Sequence, residues 1–260
     1  MNMWEKELQV AIRAALLARE KIMEVYAQPF AVEIKEDNSP VTLADKMADD
    51  LIRRVIAQAF PSHAFLTEES SDDKNRLNSD SVWIVDPVDG TKDFVDKNGE
   101  FTTNIGLAYK HEIVVGVVLV PASGELYYAT KGGGSYYQKS NRIKRIHVSK
   151  KLAKLTVLTS RFHVNDKELA LIEKHRDKIA HRETFGSAIK PCRIARGLAE
   201  ITYRLSAWTK EWDTAASQII VEEAGGLFVK PNGERILYNR DDVYNREGYV
   251  VVNRVENILL

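Results

Sequence analysis

Between Trp83 and Thr130 the chain passes through four apolar stretches in quick succession: Trp83–Val85, Asn104–Tyr109, Ile113–Val120 and Glu125–Thr130. Segments of this length, separated by turn residues, read as neighbouring strands. A sheet built that way must bury at least one face, and the preceding sequence supplies helices to cover it. From about Trp4 to Ala27 apolar residues recur at helical spacing, at Leu8, Ile12, Ala15, Leu16, Ile22 and Met23. Thr42 opens a second helix, where Thr42-x-x-Asp45 resembles a capping box with Asp in place of the usual Glu. Leu51, Ile52, Val55 and Ile56 form its apolar face, and Pro61 lies just past its end. The polar run Lys35-Glu36-Asp37-Asn38-Ser39-Pro40 reads as a turn or flexible loop, and Ser70 to Ser81 as a polar loop.

The second half alternates. Thr156–Thr159 reads as a strand, Lys167–Ile179 as a helix, Ile189–Arg196 as helical and Ile201–Leu205 as extended. Asp213–Ala224 reads as a helix ended by Gly225-Gly226, and Gly248–Val252 as a last strand. Consecutive strands followed by alternation predict a mixed α/β sandwich. With 260 residues, 44% of them apolar, the chain suits one unit with a sizeable core or two closely joined lobes, 1–150 and 151–260, meeting near residues 145–155. There is no internal repeat, low-complexity tract or long linker.

Charge excludes some classes. The 37 basic and 37 acidic residues cancel, so no global field favours nucleic acid or membrane, and an anion must be held by local groups. The lone cysteine, Cys192, rules out an intrachain disulfide and reads as a buried structural thiol. Glu5, Lys6, Glu7 and Arg13 break the N-terminal apolar pattern, which is neither a signal peptide nor a membrane span, so a soluble, cytoplasmic protein is expected. Gly132-Gly133-Gly134 lacks a following Lys-Ser/Thr and a helical pattern, and reads as a hairpin turn rather than a phosphate loop.

The segment Trp83-Ile84-Val85-Asp86-Pro87-Val88-Asp89-Gly90-Thr91 carries the chemistry. A strand runs into two carboxylates, a proline and a Gly-Thr turn. Hard cations take oxygen ligands, and phosphates take exposed backbone N–H groups. Both carboxylates would leave one strand end toward one cleft, with the Val88 carbonyl between them. Asp-Pro and Asp-Gly are also ordinary turn formers, and the segment alone fits either reading. Asp213, at the start of a helix, fits a helix-start acid as well as a ligand. Glu68-Glu69 fits an exposed acidic pair, and Asp45 a capping acid. Several carboxylates gathered together would repel unless a cation neutralised them.

Taken in order, these segments resemble the inositol monophosphatase-like phosphatase superfamily. Its signatures are Asp-Pro-x-Asp-Gly-Thr, an upstream Glu-Glu pair and a later Trp-Asp-x-Ala. The resemblance extends from about residue 5 to residue 252. Within the superfamily the chain is most similar to the bacterial CysQ-type 3′(2′),5′-bisphosphate nucleotidases. Thr91-Lys92-Asp93-Phe94, Asn98-Gly99-Glu100-Phe101-Thr102-Thr103-Asn104-Ile105 and Trp212-Asp213-Thr214-Ala215-Ala216 match their runs. Ser160-Arg161-Phe162-His163 resembles their Ser-Arg-Ser-His, with Phe162 replacing the serine, and Gly186-Ser187-Ala188-Ile189-Lys190 resembles Gly-Ser-Ser-x-Lys.

The resemblance implies a layered αβαβα sandwich of the sugar-phosphatase type. It implies that Glu68, Asp86, the Val88 carbonyl, Asp89 and Asp213 hold two or three Mg²⁺ ions, with Glu69 outside the ligand set. It implies that Asp45 and Thr91, with Glu68, serve in activating water, and that Asp89, Gly90, Thr91, Ser160, His163, Ser187, Lys190 and Asp213 surround the substrate. Two Mg²⁺ about 3.5–4 Å apart would clamp the attacking and leaving oxygens of an in-line displacement. The Gly90 and Thr91 N–H groups would hold phosphate oxygens. Lithium sensitivity is a further family trait.

The expected reaction is removal of the 3′-phosphate of adenosine 3′,5′-bisphosphate, with the sulfated relative as another substrate. Inositol monophosphatases share the acids but carry a Glu seven residues before the Trp-Asp aspartate. Here Ser206 takes that place, and the cationic Lys210 suits a second phosphate better than a polyol. Inositol monophosphatase or a broad sugar phosphatase is the alternative, and a silent nucleotide-binding protein the other class weighed.

Overall fold

In the computed structural model, residues 3–34 and 40–260 are described. Helix α1 spans Glu5–Tyr26, and strands β1 (Val32–Ile34) and β2 (Pro40–Thr42) pair antiparallel. Up to Ser39, the polar turn expected at residues 35–40 lies outside the described residues. Helix α2, Leu43–Ala59, starts as the sequence predicts: Thr42 Oγ1 accepts from the Ala44 N–H at 3.2 Å, and Asp45 Oδ2 accepts from the Thr42 N–H at 2.8 Å. The shorter Asp side chain completes the reciprocal cap.

The strand-rich middle becomes a seven-stranded sheet. Its members are β3 (Ala64–Thr67), β4 (Ser81–Asp89), β5 (Thr102–Tyr109), β6 (Glu112–Val120), β7 (Glu125–Thr130), β8 (Gly134–Lys139) and β9 (Arg142–Arg145), side by side in that order. β3 runs parallel to β4, and the other neighbours are antiparallel. A short helix α3, Thr91–Val95, separates β4 from β5. The second half gives β10 (Leu155–Ser160), α4 (Asp166–Lys174), β11 (Ile179–Phe185), α5 (Ile189–Ala195), β12 (Ile201–Arg204), α6 (Glu211–Glu223), β13 (Leu227–Val229) and β14 (Tyr249–Val252). Its strands form a five-stranded sheet in the order β11-β10-β12-β14-β13.

Alternation along the strands sorts the layers. Trp83, Val85, Ile105, Leu107, Val115 and Val117 pack with α1 and α2. Val82, Ile84, Ala108 and Val118 face the other way, onto α5 and α6, which also meet Leu158, Phe228 and Val251 of the second sheet. The far face of that sheet, through Leu155, Val157, Ile201 and Val250, packs with Leu171 and Ile172 of α4. The result is the expected αβαβα sandwich. Helix α6 lies hard against the first sheet because β6 carries Gly116, where a Cβ would come 2.2 Å from the Ala216 carbonyl oxygen.

One local expectation changes. The helix predicted over Lys167–Ile179 ends at Lys174, and Ile179 begins β11. β11 is an edge strand with an exposed Ala-His-Arg-Glu-Thr run, so no apolar alternation marks it. Residues 132–134 form the expected hairpin turn, and the Gly132 and Gly134 N–H groups donate to the two carboxylate oxygens of Glu223, at 2.7 and 2.8 Å. Among the described residues, no helix is long and apolar enough to cross a membrane.

Candidate active site

The site forms where β4 loses step with β5. Asp86 pairs with Asn104 and Asp89 with Thr102, so three steps along β4 answer two along β5. On a regular strand residues three apart face opposite sides; the extra residue of this bulge turns both aspartates the same way. They face α6, whose first turn brings Asp213. Ligand oxygens of Asp86, Asp89 and Asp213 all lie within 4.8 Å of one another, with Asp86 buried and the other two half-buried. The strand therefore continues through the Asp-Pro-Val-Asp segment rather than ending before it.

Each carboxylate is held by one oxygen. Asp89 Oδ2 accepts from the Ala188 N–H at 2.8 Å, Asn104 Nδ2 at 3.1 Å and Thr102 Oγ1 at 3.3 Å, leaving Oδ1 as the oxygen available to a cation. Asp86 Oδ1 accepts from the Val88 N–H at 3.1 Å. Asp213 Oδ2 accepts from the Lys210 N–H at 2.5 Å, so Asp213 caps its helix as well as facing the cluster. The start of α6 is itself anchored by the buried Glu211, which accepts from the Asn239 and Arg240 N–H groups at 2.7 and 2.9 Å.

Asp45 and Thr91 are brought together. Asp45 Oδ2 takes the Thr42 N–H and, at 2.6 Å, the Thr42 hydroxyl; its Oδ1 lies 3.5 Å from Thr91 Oγ1. Thr91 Oγ1 is also 3.4 Å from the Val88 carbonyl, and one hydroxyl proton serves one of these acceptors at a time. Glu68 follows β3, where its N–H donates to the Val85 carbonyl at 3.1 Å, and both Glu68 and Glu69 are half-buried. One turn beyond Asp45, Asp49 accepts from Ser70 Oγ at 2.8 Å, and Arg53 Nη1 donates to the same hydroxyl at 2.9 Å, tying the Glu68–Ser70 segment to α2.

The electrostatics show a surplus of negative charge. Burial, then repulsion from Glu68, Asp89, Asp213 and Asp45, raises the Asp86 pKa well above the usual carboxylate range. Burial followed by Asp89 and Glu68 pushes Asp213 up to about 8. Burial also raises Asp89, against the opposing pull of Lys190, Asn104 and the Ala188 N–H. An all-oxygen set of converging, mutually repelling carboxylates suits a hard divalent cation.

Of the residues expected at the substrate, Ser160 and His163 lie at and just beyond the end of β10, and Ser187 and Lys190 follow β11, in the segment whose Ala188 N–H reaches Asp89. Ser187 adopts a left-handed backbone, φ +45°, and its hydroxyl donates to the Glu100 carbonyl at 3.0 Å. Lys190 is buried, and its Nζ donates to the Ser187 and Phe185 carbonyls at 2.8 and 3.3 Å, so much of its donor capacity holds its own loop. Burial lowers its pKa to about 8 despite Asp89. Ser160 ends β10, half-buried. His163 is exposed as a residue, and Arg204 donates to its carbonyl. Crowding of its ring lowers its pKa, as do the cations Arg204, Lys92 and Lys190.

Several contributors carried no individual role in the sequence reading: Thr102, Asn104, Glu100, Lys92 and Arg204. Glu100, Thr102 and Asn104 stand inside the Asn-Gly-Glu-Phe-Thr-x-Asn-Ile run and Lys92 inside Thr-Lys-Asp-Phe, runs that mark the segments without marking what each side chain does. The Ala188 N–H is a backbone donor, which residue type does not advertise.

A layered sandwich with a carboxylate well at the bulge of β4, one strand in from the edge of its sheet, has the oxygen ligands to hold a metal ion. The chain belongs to the inositol monophosphatase family, whose sequence model matches residues 3–258. The family is metal-dependent. The chain is similar to 3′(2′),5′-bisphosphate nucleotidase CysQ of Buchnera aphidicola subsp. Acyrthosiphon pisum, 36% identical over 92% of this chain and 89% of the relative. It is 30% identical to human inositol monophosphatase 2 over 88% of this chain and 82% of that protein. Among solved structures, CysQ from Bacteroides thetaiotaomicron superposes with a TM-score of 0.84 at 33% identity, covering 97% of this chain and all of that one.

Proposed function

We propose that this protein is a cytoplasmic, Mg²⁺-dependent 3′(2′),5′-bisphosphate nucleotidase that removes the 3′-phosphate of adenosine 3′,5′-bisphosphate, yielding AMP and phosphate. The sulfated relative of that nucleotide is a second substrate. The observation that carries the reading is the convergence of Asp86, Asp89 and Asp213 beside the Asp45–Thr91 pair. Similarity to CysQ proteins supports the substrate.

In this reading Glu68, Asp86, the Val88 carbonyl, Asp89 and Asp213 hold two or three Mg²⁺ ions. Bound there, the ions would offset the charge of the phosphate and acidify water. The chain's own groups do the rest. Thr91 Oγ1 accepts a proton from the attacking water as its own passes to Asp45 Oδ1. Thr42 occupies the other Asp45 oxygen, which aims Oδ1 at Thr91. Gly90 and Thr91 open α3, where N–H groups lack intrahelical partners and can take phosphate oxygens. Ser160, His163, Ser187 and Lys190 line the nucleotide side, and the remaining Lys190 donor serves the phosphate that is not cleaved. Residues 1–150 act as the metal lobe and 151–260 as the substrate lobe of one unit.

The test is kcat/KM for adenosine 3′,5′-bisphosphate against inositol 1-phosphate, with Mg²⁺. We expect a preference for the nucleotide of at least about 100-fold, the scale of one well-placed charged contact. A preference for the inositol ester would assign the alternative activity. Ser206 weighs against that outcome, since it offers no carboxylate for polyol hydroxyls.

A further inference from the structure

Glu100 stands where three loops meet and has no part in the reaction outlined above. It lies between α3 and β5, with its side chain 22% exposed. Its Oε2 accepts from Arg161 Nη2 at 2.7 Å and from the Gly186 N–H at 2.8 Å, and its backbone carbonyl accepts from Ser187 Oγ at 3.0 Å. Arg161 Nε also lies 3.5 Å from Asp93 Oδ1. Little space remains: a Cβ on Gly186 would fall 2.5 Å from both Asp93 Oδ2 and the Glu100 carbonyl oxygen.

The register shows why such a junction is needed. β10 and β11 pair in parallel as far as Ser160 and Phe185. Immediately beyond, the two chains leave the sheet as the loops carrying Arg161–His163 and Gly186–Lys190, and the ladder no longer aligns them. Glu100 reaches across from the other sheet and binds both with one oxygen. Hydrogen bonds to an ionised group are the stronger kind, and the guanidinium adds directionality.

We infer that Glu100 is a positioning residue for substrate selectivity: it pins the two loops together so that the cations beside the well meet a second anionic group on the substrate. The inference rests on the nucleotidase reading. Asp93 and Glu100 occupy the Arg161 charge, so the two loops it joins offer the substrate His163 and Lys190, the groups the nucleotidase reading places there. The chemistry itself is insulated from this device. Asp89 keeps Asn104 Nδ2 and Thr102 Oγ1 of β5 as donors outside both loops, and Ser187 is held by the Glu100 main-chain carbonyl, which a side-chain substitution leaves in place.

Steady-state kinetics of Glu100→Gln with two substrates tests this. One is adenosine 3′,5′-bisphosphate; the other is p-nitrophenyl phosphate, which has no second anion. For the bisphosphate KM should rise about tenfold, the scale of one lost charge-assisted bond, with kcat changed by less than about twofold. Both parameters for p-nitrophenyl phosphate should match wild type. Arg161→Lys keeps the charge but cannot bridge Asp93 and Glu100, and should show the same split; it decides the matter if Glu100→Gln does not fold. Equal losses on both substrates, or an unchanged KM for the bisphosphate, would overturn the inference. A wild-type enzyme with no preference for the bisphosphate would instead bring down the nucleotidase reading, and this inference with it.

Discussion

Asp89 divides its two oxygens between different tasks. Three donors converge on Oδ2, and Oδ1 is left for the well. That division predicts how Asp89→Asn fails. The amide must place its oxygen where the three donors are, which turns its NH₂ toward the cluster and presents hydrogens where a cation belongs. We expect the variant to fold and to lose at least about 100-fold in kcat/KM, no less than loss of an outer partner of a metal ligand costs. Thermal shift on adding Mg²⁺ should disappear with the activity, and a variant that keeps both would remove Asp89 from the ligand set. Asp86, Asp89 and Asp213 were legible in the sequence because ligand chemistry is written in residue type. The donors that aim them were less so. Thr102 and Asn104 look like ordinary strand residues, and the Ala188 N–H belongs to a backbone whose direction depends on a left-handed serine.

The elements were legible where burial, on one face or on both, marks the sequence. β5 to β7 are buried on both sides and read as apolar runs, while α1 and α2 show one apolar stripe each. β11 and β9 escaped notice because both are edge strands with exposed, charged residues, an arrangement that discourages further pairing. The contact between β6 and α6 escaped for another reason: a glycine within a strand announces a close approach but not its partner. Gly116→Ala should therefore destabilise the fold by about 3 kcal/mol, the upper range for overpacking, and lower the melting temperature by about 6–12 °C. Gly132→Ala, where a Cβ would meet nothing within 4 Å, controls for burial and leaves the strain of its φ of +75° as the whole cost. Equal melting temperatures for Gly116→Ala and wild type would show that α6 can shift off the sheet.

For the whole molecule, zero net charge conceals a local surplus of negative charge, the well formed by Asp86, Asp89 and Asp213. The well works against the fold when no metal is present. Asp213 is pushed up to about 8 and Asp86 well above its ordinary value, by burial and then by their neighbours. The folded chain thus holds protons that the unfolded chain has released. Stability of the metal-free protein should fall as pH rises from the ordinary carboxylate range toward 8, and flatten for Asp213 above that. Metal competes with those protons, so added Mg²⁺ should raise the melting temperature more at about pH 8.5 than at about pH 5.5. Melts with a chelator and with Mg²⁺ at both values would check this; a chelated protein that melts higher at the alkaline end would contradict it. A last consequence follows from the bulge in β4. Odd and even positions of a strand belong to different sides of a sheet, so Asp-x-x-Asp transplanted onto an evenly paired strand would send its two charges into separate layers. Substitution alone cannot install this site in a related sandwich. The graft must carry an added residue and the mismatch with its neighbour, and inserting one residue between Thr102 and Asn104, which makes the pairing three against three, should abolish the well while every acid remains in the chain.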